Sequence, residues 1–500
     1  MMKKRLIYIL IFSAVCYPAL AAAQTDIETI IQNSIATAEA RRLSLEEVTR
    51  LAFENNFDIQ LAKFDAKIAR TRNQEAVSIY DAYLNAEVSF RKDKSTSASS
   101  LAAGKTVNND YDVGLSKKLP TGTTVSIDQT NNRQWTDSTA VIMNPSHNSS
   151  LGLTVEQNLG KNFFGIQDRG DVKITQLDVK NSEYLSLDKI EKSIFDVQVA
   201  YWDVVLAQEV LKIEKEVLAQ AKKLYDTNQE KIADGLVEQP EFIASETNYK
   251  QNLINASIAK NSLQTKKNIL KLLLNISDDM SEVLPSQEFL TQDGDERLEE
   301  SLKKAFSQRR DYRQALNTIK MKNINLSMKK NNTWPEINLK ASMARNGLGE
   351  HFKQSVTSIT QENNPDFLAS LSVSFPLENR SAKAQLKKAE YQKAQALLSF
   401  KLLERKIMIE IVDQVRECNI LRENAKGQKE IAQLESKKFF ELQKIFSYGR
   451  SDIDTLIRYQ REASLAHQSA ALAAFNYQVA LIKLRMSEGI LLTESWQEGI

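Results

Sequence analysis

The sequence predicts a mainly α-helical chain with short amphipathic β-strands, built from long helical hairpins and related by an internal duplication. Three observations lead to this prediction. Helical periodicity persists over 170–233 and 381–447, segments of alternating polarity lie between helices, and both long helical stretches end at a glycine, Gly235 or Gly449. Only 15 glycines and 8 prolines occur in 500 residues, so most of the chain can be helical.

The composition argues against several classes of function. With 66 basic and 64 acidic residues, the chain lacks the basic excess of a nucleic-acid-binding protein. His147, His351 and His467 have no Cys, Asp or Glu partners at ligand spacing. The sequence also contains no P-loop, dinucleotide-binding glycine motif or nucleophile elbow. We therefore expect no enzymatic activity, no metal and no cofactor.

The first 23 residues have the pattern of a signal peptide. Basic residues at 3–5 precede an apolar segment over 6–16, and Ala21, Ala22 and Ala23 supply a small-residue cleavage site. An uncleaved anchor helix is the alternative, but the apolar segment is short for a bilayer span. No later stretch has 18 consecutive apolar residues, so we expect the exported chain to be periplasmic, secreted or held in a membrane by strands.

The sequence contains two cysteines, and neither is expected to carry a lipid or a disulfide. Cys16 follows Val15, which is a poor residue for a lipoprotein signal, so no lipid anchor is expected there. Cys418 is then the single cysteine of the mature chain. It lies in a helical pattern, and we expect it to be a small buried hydrophobic residue.

A leader over 24–42 precedes the first repeat, which spans 43–294. Ser44 and Glu47 form a capping-box pattern at the start of a helix that is predicted to run to about Ile79. Strands follow within 83–159. A long helix then reaches the turn at 235, and a second helix returns from Pro240, a residue suited to a first helical turn.

Four segments of the first repeat alternate in polarity, over 83–90, 111–117, 123–130 and 151–156. This pattern has two interpretations. One is a sheet in a soluble domain, and the other is a barrel wall with lipid on one face and water on the other. Long polar loops between the strands favour the barrel wall, because such loops suit the exposed side of a membrane barrel.

The second repeat spans 295–489 and presents the same elements in the same order. A helix is predicted over 298–329, strands lie within 335–377, a polar loop separates the strands, and a long helix runs to the turn at 449. Ala305 follows Ala52 by 253 residues, and Gly449 follows Gly235 by 214. A tail over 490–500 ends the chain. A period this long indicates duplication and excludes a solenoid.

The lengths of these elements predict an assembly of several copies. A helix over 170–233 is about 95 Å long, too long for one compact domain. A few strands per chain cannot close a barrel wide enough to leave a channel. Several copies sharing one barrel would satisfy both constraints, with the helices continuing its wall as a tube into the periplasm.

At this point the sequence resembles the TolC-like outer-membrane efflux proteins, over about 43–489. The residues that carry the resemblance are Leu43, Ser44, Leu45, Glu46, Glu47, Ala52, Asn55 and Asn56; the segment 371–377 with Asn379 and Arg380; and Tyr448, Gly449, Arg450, Ser451, Asp454 and Leu456. The resemblance implies a homotrimer in the outer membrane of a Gram-negative bacterium, with a large periplasmic portion. Its shared transmembrane β-barrel would join a twelve-helix α-barrel.

The resemblance also implies a function. Such a protein is a passive exit duct of a tripartite efflux or type I secretion system. It docks to a periplasmic adaptor protein and, through it, to an inner-membrane transporter. By position, the adaptor-docking tips are Gly235, Leu236, Val237, Gly449, Arg450 and Ser451. The candidates for a periplasmic gate are Glu238, Glu241, Asp452 and Asp454, which equally suit helix N-caps and first turns.

One departure and two alternatives remain open. The family plan has two strands per repeat, whereas 111–130 adds a hairpin-like segment that forms one bent strand, extends beyond the membrane or adds strands to the barrel. A periplasmic coiled-coil adaptor is one alternative function, although adaptors usually have one hairpin and this chain has two. A structural stalk is the other, although the apolar positions do not follow heptads.

Overall fold

A computed structural model describes residues 41–95, 104–138, 140–233, 235–276, 283–289 and 295–495. The predicted signal peptide and Cys16 lie outside the described residues. So do most of the predicted leader and the final residues of the predicted tail.

Long helices dominate the described chain. In the first half they are α1 (Leu45–Asn55), α2 (Phe57–Val77), α3 (Ile166–Ala233) and α4 (Gln239–Leu274). In the second half they are α5 (Leu298–Gln308), α6 (Arg310–Asn331), α7 (Phe352–Gln361), α8 (Arg380–Ser447), α9 (Ile453–Glu488) and α10 (Leu491–Ser495). Short 3₁₀ turns occupy Ser78–Tyr80 and Phe163–Gly165. Within the described residues, no helix has the length and hydropathy to cross a lipid bilayer.

The strands form two separate sheets. A small parallel pair joins β1 (Arg41–Leu43) to β6 (Val283–Pro285). The larger sheet contains β2 (Ala82–Asp93), β3 (Thr106–Lys118), β4 (Thr123–Thr136), β5 (Ser146–Asn158), β7 (Glu336–Gly349) and β8 (Pro365–Ser374). Its six strands are antiparallel neighbours in the order β2-β3-β4-β5-β7-β8. Each segment of alternating polarity noted in the sequence is therefore a strand.

Three pairs of corresponding helices in the two halves have equal lengths. Helices α1 and α5 each have 11 residues, α3 and α8 each have 68, and α4 and α9 each have 36. The capping box predicted for α1 is confirmed. The Ser44 hydroxyl accepts from the Glu47 amide at 3.2 Å, and the Glu47 carboxylate accepts from the Ser44 amide at 2.8 Å.

The structure corrects two predicted helices. The single helix expected over 44–79 is broken at Asn56, and the helix expected over 298–329 is broken at Arg309. Asn56 adopts extended backbone and its side chain spans the break. Its amide group donates to the Leu273 carbonyl at 2.7 Å, and its oxygen accepts from the Ile59 amide at 3.0 Å. These bonds replace the helical hydrogen bonds lost at the break.

In the second half, contacts of the Arg309 side chain stabilise the equivalent break. Its guanidinium donates to the Glu410 carboxylate and to the Ser487 carbonyl, both at 2.9 Å. Neither partner is close in sequence to Arg309, so helical periodicity carried no signal for this break.

Helix α7 is also absent from the prediction, which treated the segment as part of a polar loop. The helix packs against β5 and β7 through small residues. Its buried Ser355 lies 2.7 Å from the Ser149 hydroxyl, and a Cβ at Gly347 would collide with the Ser355 carbonyl. Glycine at position 347 therefore permits a contact that sequence periodicity cannot reveal.

The chain divides into two compact units. The first comprises, among described residues, 41–64, 186–310 and 405–495, and the second comprises 65–185 and 311–404. The second unit contains the whole six-stranded sheet. The first has a hydrophobic core formed by residues from most of its segments, including Leu43, Ile59, Ile194, Tyr201, Leu270, Leu274 and Leu492.

Two residues illustrate the packing of this core. The Tyr201 hydroxyl donates to the Leu43 carbonyl and accepts from the Gln287 amide, each at 3.3 Å, so its polar atom is satisfied while the ring is buried. Cys418 is fully buried, as predicted, and burial raises the pKa of its thiol to about 11. The thiol is therefore protonated at neutral pH and unreactive.

A buried ion pair joins three helices of the first unit. The Arg310 guanidinium, at the start of α6, lies 2.6 Å from Glu191 and 3.3 Å from Asp188 on α3. Glu191 also accepts from the Leu492 amide of α10 at 3.2 Å. Burial raises the pKa of Glu191 despite the neighbouring Arg310. Removing Arg310 would leave the Glu191 carboxylate buried without its counter-charge, whereas Arg310 would retain Asp188 if Glu191 were removed.

We expect Arg310→Met to destabilise the protein by about 3–5 kcal/mol, because it leaves the Glu191 carboxylate buried without its counter-charge. Arg70→Met is the matched control, since Arg70 pairs with Glu183 at the same 2.6 Å separation in an exposed pair. The control should cost at most about 1 kcal/mol. Urea unfolding midpoints of the purified variants measure both effects, and equal losses would contradict the assignment.

Candidate functional site

The first hairpin turn follows α3 and is closed by backbone hydrogen bonds. The Gly235 amide donates to the Ile232 carbonyl at 3.2 Å, and the Leu236 amide donates to the Lys231 carbonyl at 2.9 Å. This arrangement satisfies carbonyl groups at the helix end and requires a left-handed residue, here Gly235 with φ of 70°.

The second hairpin turn follows α8 and repeats the same bonds 214 residues later. The Gly449 amide donates to the Phe446 carbonyl at 2.9 Å, and the Arg450 amide donates to the Ile445 carbonyl at 3.2 Å. Gly449 also has φ of 70°. No atom lies within 4 Å of a Cβ built on Gly235 or Gly449, so backbone conformation, and not crowding, requires glycine.

The tip residues present a mixed surface. Leu236 is 73% exposed and Tyr448 is 78% exposed, and Arg450 is exposed beside them. Val237 and Ser451 are half-buried. The six residues predicted for docking therefore lie at the two turns, with a large apolar or aromatic side chain accessible at each.

The two hairpins differ in how their return helices begin. Asp452 is the N-cap of α9, and its carboxylate accepts from the Thr455 amide at 2.7 Å and from the Thr455 hydroxyl at 2.9 Å. These hydrogen bonds lower the pKa of Asp452. Glu238 occupies the same position before α4 but makes no capping bond there. Its side chain is longer, and Pro240 lacks one of the amides that a cap would bind.

The four predicted gate acids are all exposed in the single chain. Glu238 and Asp452 occupy equivalent N-cap positions, and Glu241 and Asp454 lie in the first turns of α4 and α9. Asp452 therefore has a capping role, whereas the other three carboxylates face solvent. A gating role for these acids stays a prediction.

Apolar and aromatic contacts support the tips. Phe439, Leu456 and Ala463 form a buried cluster on α8 and α9, and Leu224 of α3 packs against it. In the first hairpin, Tyr225 of α3 stacks on Tyr249 of α4, with ring centroids 5.4 Å apart. The two hairpins therefore pack against each other near their tips.

A polar node replaces the apolar contacts farther from the tips. Gln460 of α9 is only 6% exposed. Its amide nitrogen donates to Gln220 of α3 at 3.2 Å, and its oxygen accepts from Asn248 of α4 at 3.1 Å. One side chain thus joins three helices from both hairpins.

A second polar contact lies two turns along α9. Gln468 donates to the Glu214 carboxylate of α3 at 2.7 Å, and burial raises the pKa of Glu214. These links were not among the predicted site residues. A signal was present, because Gln460 and Ser464 follow Leu456 at helical spacing on a buried face where apolar residues would be expected.

Neither a metal centre nor a catalytic cluster emerges from the part of the chain that the structure describes. No group of three or more His, Cys, Asp or Glu side chains in that part is arranged to hold a metal ion. The features that stand out are surfaces and helix contacts: exposed tips, polar links between helices, and a sheet with one apolar face.

Comparison with known proteins identifies the fold. No protein-family model and no curated protein sequence matches the chain. Solved structures do match. The CmeC outer membrane channel of Campylobacter jejuni is similar with a TM-score of 0.66 at 16% identity, over 89% of this chain and 86% of that chain. The open state of the Neisseria gonorrhoeae MtrE outer membrane channel is similar with a TM-score of 0.64 at 16% identity, over 91% and 93%.

A third example is the outer membrane protein VceC of Vibrio cholerae, with a TM-score of 0.62 at 13% identity, over 89% of this chain and 96% of that chain. The matches span nearly the whole length of both proteins. The chain therefore has the fold of the TolC-like outer-membrane channels, which confirms at the level of the fold the resemblance drawn from the sequence.

Capping by Asp452 predicts that the stability of the first turn of α9 depends on pH. Hydrogen bonding lowers the folded-state pKa, so the cap is complete above the ordinary aspartate pKa of about 3.9. Its stabilising effect should be lost as pH falls through the lower folded-state value. Hydrogen exchange at the Thr455 amide, corrected for the intrinsic rate, measures the loss. Asp452→Asn keeps the acceptor without titrating and should abolish this pH dependence.

The polar node predicts that Gln460→Leu weakens the contact between the hairpins. The substitution leaves Gln220 and Asn248 without this partner, and we expect a loss of about 1–3 kcal/mol in unfolding free energy. Gln251→Leu is the control, because Gln251 is exposed and bonds only to Asn255 on its own helix. Urea unfolding that ranks the two variants equally would contradict the role of the node.

Proposed function

We propose that this protein is a trimeric outer-membrane channel, the exit duct of a tripartite efflux or type I secretion system. The observation that carries the proposal is a six-stranded sheet with one exposed apolar face and two open edges, in a fold shared with outer-membrane channels. The trimer and the partners in this proposal are those that the TolC-like resemblance implies.

The apolar face of the sheet can be followed across all six strands. Residues paired directly across neighbouring strands point to the same side of a sheet. One such row consists of Leu84, Leu115, Ile127, Leu153, Met343 and Phe367, and all six side chains are exposed. The next row, on the other side, consists of Tyr83, Ser116, Ser126, Thr154, Ser342 and Leu368, and is polar on its four central strands. An exposed apolar face opposite a polar one suits a wall between lipid and water.

The open edges of the sheet call for further copies. Among the strands that the structure describes, β2 and β8 each pair on one side only, and β8 is exposed along its entire length. Unpaired backbone amides and carbonyls are too costly in lipid, so such an edge must be closed. With an even number of alternating strands, β8 of one copy runs antiparallel to β2 of the next. Three copies would then close one barrel.

The helices supply the remainder of the duct. A helix of 68 residues is about 100 Å long. The equal lengths of α3 and α8, and of α4 and α9, support internal duplication of one hairpin unit. Four hairpin helices from each of three copies make the twelve-helix α-barrel that the resemblance implies, extending into the periplasm.

The tips are the proposed docking site for a periplasmic adaptor protein, which joins the duct to an inner-membrane transporter. Residues Gly235, Leu236 and Val237 form one tip, and Gly449, Arg450 and Ser451 form the other. Support comes from their matching backbone geometry and from the exposed Leu236 and Tyr448. In a trimer six such tips form a ring. The candidate gate acids around this ring are Glu238, Glu241, Asp452 and Asp454, and Asp452 also caps α9.

Membrane fractionation and oligomer migration test the channel proposal against its alternatives. The protein should fractionate with the outer membrane and migrate as a trimer that heating dissociates. A soluble periplasmic monomer would contradict the proposal and favour an adaptor. A surface-exposed fibre that leaves export unchanged when deleted would favour a stalk.

The docking role of the tips predicts that Gly449→Pro impairs export. Proline requires φ near −65° and has no amide, whereas Gly449 has φ of 70° and donates to Phe446. The turn must therefore rearrange, although it lies far in sequence from the strands. We expect normal membrane insertion and trimer migration, with reduced export and reduced cross-linking to the adaptor.

Gly427→Ala is the matched control for this substitution. Gly427 lies inside α8, and no atom lies within 4 Å of a Cβ built there, so alanine should be tolerated and slightly stabilising. Normal export and cross-linking in Gly449→Pro would remove the tip from its proposed role. Loss of the trimer in that variant would show that the turn is needed for assembly instead.

A further inference from the structure

We propose that the β3–β4 hairpin spans the membrane, so that each copy contributes six strands and three copies close an eighteen-stranded barrel. The inference rests on the proposed channel function and adds the architecture of its outlet. Two strands per repeat, the plan implied by the resemblance, would give four strands per copy and twelve in the trimer.

The hairpin is an integral part of the sheet. Strand β3 pairs with β2 from Thr106 to Lys117, and β4 pairs with β5 from Thr123 to Gln134. Strands β3 and β4 lie between β2 and β5, so β2 and β5 do not pair with each other. Removing the hairpin from the wall would therefore open the sheet in its middle.

The turn of the hairpin is anchored where the other strands meet the helices. Lys118 pairs with the buried Asp168, near the start of α3, at 2.7 Å. Gly122 approaches Gly165 of the adjoining 3₁₀ turn so closely that a Cβ on Gly122 would lie 2.7 Å from the Gly165 nitrogen. The turn thus lies at the same level as the strand-to-helix junction.

The apolar belt on the lipid-facing side shifts along the strands between β2 and β8. On this side of the sheet the main run of large apolar residues covers 84–90 on β2, 111–115 on β3, 125–127 on β4, 151–155 on β5, 337–343 on β7 and 367–373 on β8. Val107 and Trp135, which pair with each other near the far ends of β3 and β4, lie apart from it. The middle of the belt on β2 is Glu87, whose row of paired residues reaches Asn346 on β7. The middle of the belt on β8 is Ser370, which pairs with Lys340.

The shift has the size expected for tilted barrel strands. From Asn346 to Lys340 the belt moves six residues along the strand direction over the five steps from β2 to β8. With about 3.3 Å per residue and about 4.8 Å between strands, this shift corresponds to a tilt of roughly 40°. Strands in closed barrels tilt by about 35–45°. A belt that is level in the membrane must shift along tilted strands in this way.

The two strands of the hairpin follow the same shift. The belt is centred on Val113 in β3, one residue from its level on β2, and close to Ile127 in β4, which pairs with Leu153 at its centre on β5. A hairpin that projected beyond the membrane would have no reason to present apolar residues at the level set by its neighbours. The alternation in β3 and β4 is therefore that of a membrane-spanning wall.

The added strands would widen the outlet. At a tilt of about 40°, each strand takes up about 6.3 Å of circumference, so eighteen strands give a backbone diameter of roughly 36 Å and twelve strands roughly 24 Å. The backbone of the outer-membrane barrel would thus be about half again as wide as that of a twelve-stranded barrel.

Cysteine labelling tests whether the hairpin lies in the membrane. Single substitutions Leu115→Cys and Ser116→Cys in β3, and Ser126→Cys and Ile127→Cys in β4, would be treated with a membrane-impermeant maleimide in intact outer membranes. We expect several-fold stronger labelling at 116 and 126, which face the water-filled lumen, than at 115 and 127, which face lipid. The native Cys418 is buried and should contribute little background.

Leu153→Cys and Thr154→Cys in β5 are the matched controls. Alternation at both the hairpin and β5 supports the six-stranded wall. Alternation at β5 with equal labelling at all four hairpin positions would overturn the inference and leave the channel intact, with the hairpin outside the membrane. Equal labelling at β5 as well would overturn the channel proposal itself.

Discussion

An unpaired strand edge cannot persist in lipid, and the proposed architecture depends on this constraint. The six-stranded sheet has two such edges and one exposed apolar face, so a single copy is incomplete in a bilayer. In the proposed channel the apolar face lies against lipid, the edges pair with neighbouring copies, and the even number of strands lets identical copies pair antiparallel. A hydrogen-bonding requirement of the backbone thus links strand register in one chain to assembly of several.

The hairpin helices meet a different requirement. A long helix must change direction without leaving carbonyls unsatisfied, and the left-handed glycines at 235 and 449 achieve this with matching hydrogen bonds. Packing between the hairpins is apolar near the tips and polar at Gln460 and Gln468. Hydrogen-bonded amides require particular partners, so Gln460 and Gln468 fix the alignment of the helices that they join.

The sequence predicts features that depend on local chemistry. Period-two alternation located the strands, Ser44 and Glu47 located a helix start, and two glycines located the hairpin turns. Features that depend on distant partners were missed. The breaks at Asn56 and Arg309 are stabilised by hydrogen bonds to the Leu273 and Ser487 carbonyls, respectively. Helix α7 can pack on the sheet because Gly347 has no side chain at the point of contact. Among the candidate site residues, the tips follow from backbone conformation. The gate acids depend on the neighbouring copies and remain a hypothesis.

The core of the first unit has a consequence for the order in which the chain is made. Leu43 and Leu492 belong to the same hydrophobic cluster, and the Leu492 amide binds the Glu191 carboxylate. These residues are 449 positions apart, so the core cannot close until nearly all of the described chain has been synthesised. Apolar helix faces that emerge early therefore stay exposed until the chain is nearly complete, which lengthens the interval in which they can aggregate.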